Sequence, residues 1–372
     1  MTPRALALLT GLALLSTTGP ACALDAGAIV TEAPDGTAVR FAQDIAGLVR
    51  RFGVALEVVP SAGELATMET LTRRPDTQLG IVPSDVLDFI SIFSEDPELR
   101  SMAALMLVLP LYREEVHVLT RPEIRKLEDL KGRRVAVGAP DSGTLLTTTL
   151  LLGTVGIQPA EEMRIGGEEA LAALRQGRID AMIHVASKPG AVLTKVAIED
   201  ALHLVPVDHP ALRELYPAAT IPGGTYPPWQ RKEVPTVAPR ALLMTLPWTA
   251  EPGHQEEACR LVGKIARIVV DNLDRLRREG DPNWREVDPG ADVAKAGWQR
   301  SPCVERALAG PEGYVLGTDD AAVSPSSPSA AEAAPPETSG RAAGPPRRDC
   351  AAETTPLLRQ LCGVRPLLRT EP

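Results

Sequence analysis

Along the first third of the chain, the spacing of apolar residues changes repeatedly between short continuous runs and a repeat of three or four positions. Short apolar runs bounded by turn residues predict buried strands, whereas apolar residues repeating every three or four positions predict helices. Strands are predicted at residues 28–31, 55–59, 79–83, 102–109 and 115–120. Helices are predicted at residues 41–52 and 63–72, and a third begins at Val86 after the capping residues Ser84 and Asp85. This alternation is typical of an α/β domain with a mainly parallel sheet.

The same alternation of predicted strands and helices continues after residue 120 and predicts a second lobe. Strands are predicted at residues 135–137 and 179–185, and helices at 144–155, 168–176 and 190–200. A Pro- and Gly-rich crossing at residues 216–239 then leads to a strand at 241–245 and a long helix at 255–276, both assigned to the first lobe. A chain that leaves one lobe and returns creates a cleft, and ligands bind at the carboxyl ends of parallel strands beside such clefts.

The two ends of the chain are predicted to lie outside these lobes. Arg4, the apolar residues 5–15 and Ala21-Cys22-Ala23 indicate a cleaved export signal, so a periplasmic location is expected. A lipoprotein anchored through Cys22 is a weaker alternative, because no large aliphatic residue precedes it at the usual place. The predicted divisions are signal 1–23, first lobe 24–120, second lobe 121–220, hinge crossing and return 221–317, disordered linker 318–348, and a tail 349–372 of no assigned role.

Composition narrows the class of ligand. The net charge of −9 argues against nucleic-acid binding, and the 12 aromatic residues are too thinly spread to favour a ring-shaped ligand. The five histidines show no metal-ligand spacing, so neither a metal nor another cofactor is expected. Export would leave Cys259, Cys303, Cys350 and Cys362, whose pairing is open; we favour Cys259–Cys303 with Cys350–Cys362, and free or partly paired thiols remain an alternative.

Residues 127–144 contain the most informative local pattern. An apolar strand is followed by a turn with Gly138 and Pro140 and then by a helix start at Ser142-Gly143-Thr144. Unpaired backbone N–H groups and the helix dipole make a helix start favourable for a carboxylate, and two hydroxyls accompany it here. We therefore interpret this turn as an anion-binding seat, with ordinary helix capping by the two hydroxyls as the alternative.

Seven segments together resemble one family, the TAXI group of extracytoplasmic solute-binding components of tripartite ATP-independent periplasmic (TRAP) transporters. These segments are Gly36-Thr37, Ala62-Gly63, residues 79–85, residues 127–144, residues 177–181, residues 221–226 and residues 234–237. Their order covers roughly residues 28–250. The resemblance implies a two-lobed periplasmic-binding-protein fold of type II, no enzymatic activity, closure of the lobes on a small amino acid or carboxylate, and delivery to separate permease subunits. A monomer is expected.

The resemblance and the predicted cleft together suggest which residues contact the ligand. The predicted ligand-binding residues are Gly36, Thr37, Gly63, Glu64, Ser84, Ser142, Gly143, Thr144, His184, Thr225 and Tyr226. Each has a simpler alternative: Ser84 as a helix cap, Glu64 as a solvated acid at a helix start, His184 as a structural hydrogen-bonding residue, and Tyr226 as a residue packed on the hinge.

The sequence also departs from its apparent relatives on the first-lobe side. Ala38-Val39 replace an aromatic pair, Glu64 and Thr67 replace a serine and an asparagine, and Pro83 replaces a glutamine. Glu64 would repel an anion, so a ligand with a cationic end is an alternative, and an amino acid has both charges. Two other functions remain open: a stand-alone sensor or receptor with altered specificity, and an enzyme on the same fold, for which no coupled nucleophile and base are evident.

Overall fold

The computed structural model describes residues 25–314 apart from 33–35, 75, 94–96, 98–99, 101–103, 141, 250–252, 292–297 and 311–312. The predicted export signal, linker and tail, with Cys350 and Cys362, lie outside the described residues. The strands are β1 (Asp25–Thr31), β2 (Val54–Pro60), β3 (Thr77–Pro83), β4 (Met106–Arg113), β5 (Glu115–Thr120), β6 (Arg134–Ala136), β7 (Glu161–Met163), β8 (Ala181–Ala186), β9 (His203–Val205), β10 (Ala218–Ile221), β11 (Val234–Val237) and β12 (Arg240–Thr245).

The helices follow the strands in the expected alternation over much of the chain. They are α1 (Thr37–Arg50), α2 (Glu64–Arg73), α3 (Ser84–Phe93), α4 (Gly143–Thr154), α5 (Gly167–Arg175), α6 (Pro210–Leu215), α7 (His254–Asp271), α8 (Leu273–Glu279) and α9 (Pro302–Ala309). The amphipathic pattern of α1 explains its position, because its apolar face, which includes Phe41 and Ile45, is fully buried against the first sheet. None of the described helices is long and apolar enough to cross a membrane.

Two five-stranded sheets form the centres of two lobes. The first has the order β2-β1-β3-β12-β4 and the second the order β7-β6-β8-β5-β9. In the first sheet β12 runs antiparallel to both of its neighbours, and in the second sheet β5 does the same. The remaining strands of each sheet share one direction. The prediction of mainly parallel α/β sheets is therefore confirmed.

The two sheets share one connection pattern. In each, the second parallel strand lies at the edge, the first and third follow, an antiparallel strand is inserted, and the fourth parallel strand closes the sheet. The inserted strand follows directly on a crossing from the other lobe, after Glu114 for β5 and after the loop at Ala238 and Pro239 for β12. The Glu114 amide donates to the Pro239 carbonyl at 3.0 Å, which joins the two crossings. This is the predicted two-lobed periplasmic-binding-protein fold of type II.

The lobe boundary differs from the expected one. The sequence placed residues 115–120 in the first lobe, but β5 pairs with β8 and β9 in the second sheet, so the first crossing is at Glu114. The second crossing follows an antiparallel hairpin of β10 and β11, which was not predicted. Val116 accepts a hydrogen bond through its carbonyl from the Thr236 hydroxyl at 2.6 Å, so the hairpin is attached to β5.

Two predicted helices also differ. Residues 190–200 form two short 3-10 turns, Leu193–Lys195 and Ile198–Asp200, because β-branched residues are frequent there and Val196 adopts an extended backbone between the turns. The long helix predicted at residues 255–276 is divided into α7 and α8 at Asn272. There the Asn272 side chain donates to the Ile268 carbonyl at 2.9 Å, and the backbone leaves helical geometry.

The Cys259–Cys303 disulfide connects α7 to α9, with Cα atoms 5.2 Å apart, and confirms the first of the two preferred pairings. On the other side of the first sheet, a buried apolar cluster contains residues of both lobes. Val86 and Ile90 of α3 belong to it together with Leu146 and Leu150 of α4. Both lobes therefore contribute to one apolar contact beside the cleft.

Candidate functional site

A small pocket lies at the carboxyl ends of the first-lobe strands. Its walls are Glu32 after β1, residues 81–83 at the end of β3, Tyr112 at the end of β4, Glu114, Ala38 in α1, Glu64 at the start of α2 and Ala241 at the start of β12. Because β12 is antiparallel, its beginning lies at the same sheet edge as the ends of its neighbours. The fold therefore brings these residues to the position where such sheets bind ligands.

Glu64 lies at the contact between the two lobes. Its residue is only 6% exposed, and its carboxylate lies against Gly143, the first residue of α4. A Cβ on Gly143 would be 2.7 Å from Glu64 Cδ and closer still to Oε1. The start of α4 is the predicted anion seat, so the carboxyl group of Glu64 lies beside the position expected for a ligand anion.

The pocket is acidic, and two of its buried polar atoms have no hydrogen-bond partner among the described residues. Burial, together with the nearby carboxylates of Glu32 and Glu114, raises the pKa of Glu64 well above its ordinary value. Burial and the charges of Glu32, Asp85 and Glu115 do the same for the pKa of Glu114. Glu64 Oε2 and the Tyr112 hydroxyl, both buried, have no hydrogen-bond partner among the described residues. A buried polar atom without a hydrogen-bond partner lowers the stability of the folded protein until a bound group supplies that partner.

The predicted seat at the start of α4 uses its hydroxyls locally. Ser142 Oγ accepts from the Leu145 amide at 3.2 Å and donates to the Ala139 carbonyl at 2.8 Å, which is helix capping. Thr144 Oγ1 accepts from the Val185 amide at 3.2 Å and so anchors the helix to β8. The Gly143 backbone, rather than either hydroxyl, faces the first lobe.

The predicted first-lobe residues take different positions. Thr37 Oγ1 lies 2.7 Å from Ser187 Oγ of the second lobe, so it contacts the opposite wall of the cleft. Gly36 and Gly63 are the residues preceding α1 and α2. Ser84 Oγ accepts from the Arg240 amide at 3.1 Å and ties α3 to β12. This bond is structural, but it joins α3 to β12 and is not the helix cap named as the alternative for Ser84.

Polar contacts between the lobes surround the pocket. Asp85 of α3 accepts from the Thr147 hydroxyl of α4 at 2.7 Å, and burial raises the pKa of Asp85 to about 6. Lys188 of the second lobe pairs with Glu286 of the first lobe at 2.8 Å and also with Glu115. With Thr37 and Ser187, these contacts describe two lobes closed on each other.

His184 and Tyr226 lie within the second lobe. His184 in β8 is directly opposite His117 in β5, and burial lowers the pKa values of these two histidines to about 4 and about 3. The Tyr226 ring is fully buried, and its hydroxyl accepts from the Gly190 amide at 2.9 Å and lies 2.7 Å from His117 Nε2. The ring is therefore packed within the second lobe and does not close over the cleft as expected. Thr225 Oγ1 donates to the Pro222 carbonyl in its own turn.

We expect Tyr226→Phe to destabilise the protein by about 1–3 kcal/mol, because it leaves the buried Gly190 amide and His117 Nε2 without their common partner. Urea unfolding followed by circular dichroism measures this loss. Solute affinity should stay at the wild-type level. A loss of affinity without a loss of stability would instead return Tyr226 to the ligand site.

Three polar residues of the pocket were missed by sequence reasoning: Glu32, Tyr112 and Glu114. Each stands at or directly after the end of a first-sheet strand, the same signal that singled out His184. Glu114 was overlooked because the boundary between the lobes was placed six residues too late. No group of three His, Cys, Asp or Glu side chains among the described residues is arranged to hold a metal ion.

Comparison with known proteins shows to which family the chain belongs. The sequence profile of the NMT1-like family matches residues 47–278, which is more than half of the chain. The chain belongs to the NMT1-like family. The matched segment of this NMT1-like protein begins in α1 and ends in α8, so it includes the whole second lobe and both crossings.

Several solved structures resemble the NMT1-like protein at low identity. A protein of Bordetella bronchiseptica RB50 is 17% identical, with 77% of this chain and 89% of that chain covered and a TM-score of 0.42. The periplasmic binding protein BugD is 12% identical, with 76% and 95% covered and a TM-score of 0.44. The alkanesulfonate-binding protein SsuA of Xanthomonas axonopodis pv. citri, bound to MOPS, is 16% identical, with 77% and 83% covered and a TM-score of 0.39. These likenesses concern the fold and carry no argument about the ligand.

Proposed function

We propose that the protein is an extracytoplasmic solute receptor of the TAXI type, which captures a small solute between its lobes and delivers it to a TRAP permease. One observation carries this proposal: helix starts from both lobes meet at Glu64 and Gly143, beside a pocket at the ends of the first-lobe strands. A ligand held there would touch both lobes, and only a ligand that favours the closed arrangement can shift the protein towards it.

The segments that resemble the TAXI group are placed consistently with this proposal. Residues 79–85 form the end of β3 and the start of α3, and residues 127–144 lead through β6 to the start of α4. Both helix starts face the cleft, since Asp85 and Thr147 bond across it. Two of the family-like blocks thus supply opposite walls of one site.

Between an amino acid and a dicarboxylate, the acidic wall favours the amino acid. In our proposal the solute carboxylate takes the position at the start of α4, beside which the carboxyl group of Glu64 now lies, after the lobes separate. A dicarboxylate would place a second negative charge among Glu32, Glu64 and Glu114, where none of the described residues that line the pocket is Lys, Arg or His. An amino acid presents an ammonium group to that wall.

The test is closure as well as binding. Purified protein is screened by thermal shift against amino acids and dicarboxylates, and hits are examined by small-angle X-ray scattering for a change in radius of gyration. We expect at least one amino acid to raise the melting temperature and to favour the compact form. If no member of the panel does either, the receptor proposal is wrong. Glu123→Gln removes one negative charge at an exposed site of the second lobe and should bind the same solutes as wild type, which excludes a nonspecific effect of net charge.

The position of Glu64 also favours a second candidate, a stand-alone receptor or sensor with altered specificity. A carboxyl group of the protein itself beside the expected position of a ligand anion is a departure that a changed solute would explain. The two candidates differ in the partner: a transport receptor accelerates solute uptake into vesicles that contain the permease, and a stand-alone receptor binds solute but leaves uptake unchanged.

A further inference from the structure

The pocket on the first-lobe wall is rich in acceptors and lacks a cation. Carboxylates of Glu32, Glu64 and Glu114 line it together with the Tyr112 hydroxyl. Among the described residues, neither the buried Glu64 Oε2 nor the hydroxyl of the fully buried Tyr112 has a hydrogen-bond partner, although the carboxyl group of Glu64 interacts with that of Glu32. These two unpartnered atoms come from different elements, α2 and β4, and both belong to groups that line the same pocket. Both point to a hydrogen-bonding group that would complete them when it is bound in the pocket.

We propose that this acidic pocket binds a protonated amine of the solute, so that the solute class is small primary ammonium compounds. The inference rests on the proposed receptor function, because it names the chemistry that the same cleft recognises. An ammonium group carries three donors and one positive charge. The pocket offers three carboxylates and a phenol oxygen to meet them, which is the complementary set.

A metal ion and a solute anion fit this pocket less well. The described His, Cys, Asp and Glu side chains form no group arranged as metal ligands, although three carboxylates face one pocket. An anion would add its charge to theirs in a partly dehydrated site, where charge interactions are strong. A neutral hydroxyl group would leave Glu64 and Glu114 with their protons, so its binding would release none. An ammonium group meets the open acceptors and also stabilises the ionised carboxylates.

Proton release should accompany amine binding. Without a cation, burial and neighbouring carboxylates hold the pKa values of Glu64 and Glu114 well above their ordinary value of 4.5. The charged or titratable groups that face this pair are Glu32, Asp85, Glu115 and Tyr112, with Arg40 and Asp281 acting on Tyr112. A bound ammonium ion stabilises the ionised carboxylates, so protons held by the pocket leave when the amine enters.

The experiment uses three probes with the same carbon chain: n-butylammonium, butan-1-ol and butyrate. We expect n-butylammonium alone to raise the melting temperature of the full chain at millimolar concentration. Calorimetry near neutral pH, in two buffers with different ionisation enthalpies, should show that its binding releases protons. The proposal is overturned if butan-1-ol or butyrate stabilises the protein equally, if none of the probes does, or if n-butylammonium binds without proton release.

Variants locate the bound amine. Glu64→Gln removes one charge-assisted bond and should weaken n-butylammonium binding roughly tenfold or more. Tyr112→Phe should weaken it about fivefold while leaving the unliganded protein as stable as wild type, because that hydroxyl has no partner to lose. Glu123→Gln is the matched control and should bind as wild type. Unchanged affinity in Tyr112→Phe and Glu64→Gln would remove the amine from this pocket even if both variants fold.

The outcome can be separated from that of the receptor proposal. If amino acids or dicarboxylates close the protein and n-butylammonium does not bind, the receptor function stands and the amine site is wrong. If n-butylammonium binds with proton release while no solute of the panel raises the melting temperature or favours closure, the amine site stands and the receptor function is wrong.

Discussion

At about pH 8 the unliganded Glu64→Gln variant is expected to be more stable than the wild type by about 3 kcal/mol. An uncompensated buried charge costs about 3–5 kcal/mol, and Glu64 is buried beside Glu32 and Glu114 without a cation. The glutamine amide keeps the shape of the side chain and adds donors that the neighbouring carboxylates can accept. In the proposed amine site, a carboxyl group that binds the solute thus reduces the stability of the unliganded protein.

The pH dependence follows from the direction of the pKa change. The pKa of Glu64 in the folded protein lies well above the ordinary 4.5, so in the unfolded chain the group loses its proton at lower pH. Above 4.5 the folded state therefore binds more protons, and its stability falls as the pH rises towards the folded pKa. The advantage of Glu64→Gln should be near zero at about pH 4 and should grow as the pH increases.

Urea unfolding at a series of pH values measures this difference. Glu123→Gln changes the same charge at an exposed site and should follow the wild-type curve throughout. A constant difference between Glu64→Gln and wild type from acid to alkaline pH would show that Glu64 does not hold its proton in the folded state. That outcome would also remove the basis for proton release on amine binding.

Two buried histidines affect how the free energy of unfolding changes at acidic pH. Burial lowers the pKa values of His117 and His184 to about 3 and about 4, below the ordinary 6.5. The unfolded chain binds their protons first, so stability falls as the pH drops from 6.5 towards 4. Asp85, with a pKa of about 6 against an ordinary 3.8, acts in the opposite direction over that range. The Glu64→Gln substitution should leave these effects of His117, His184 and Asp85 unchanged.

The sequence predicted the lobes better than their boundary. Apolar periodicity identified β1 to β3 and α1 to α3 because each element buries one continuous face or stripe. Sheet membership is a different matter, since β5 has the same apolar pattern as the first-lobe strands and only Glu114 separates it from β4. Its partners β8 and β9 are fixed by long-range pairing, which local pattern does not encode.

The candidate site was predicted in outline, and its hydrogen bonds were not. Glu64 was noticed as an unexpected carboxylate at a helix start, and the structure places it in the pocket. Hydroxyls at a helix start can cap the helix or bind a ligand, and the residue type is the same in both cases. Ser142 caps α4, and Thr144 bonds to β8. Tyr226 was assigned to an open crossing because Gly and Pro surround it, whereas it is packed in the second-lobe core.

Replacing both Cys259 and Cys303 by alanine is expected to lower the free energy of unfolding by about 4 kcal/mol. The disulfide closes a loop between residues 44 positions apart, and the chain-entropy account of such a loop gives this magnitude at 25 °C. The bond holds α9 on α7 where the two helices pack closely, since a Cβ on Gly263 of α7 would lie 2.8 Å from the Cys303 carbonyl oxygen. Neither helix lines the pocket.

Thermal unfolding with and without reductant, alongside the double alanine variant, separates the disulfide from the loss of two buried side chains. Reduced wild type and the double variant should melt at similar, lower temperatures, and below that transition both should bind solute as the oxidised protein does. Loss of binding in the folded, reduced protein would show that the α7–α9 contact positions the pocket. If reductant has no effect on the melting temperature of wild type, the bond does not form in the purified protein.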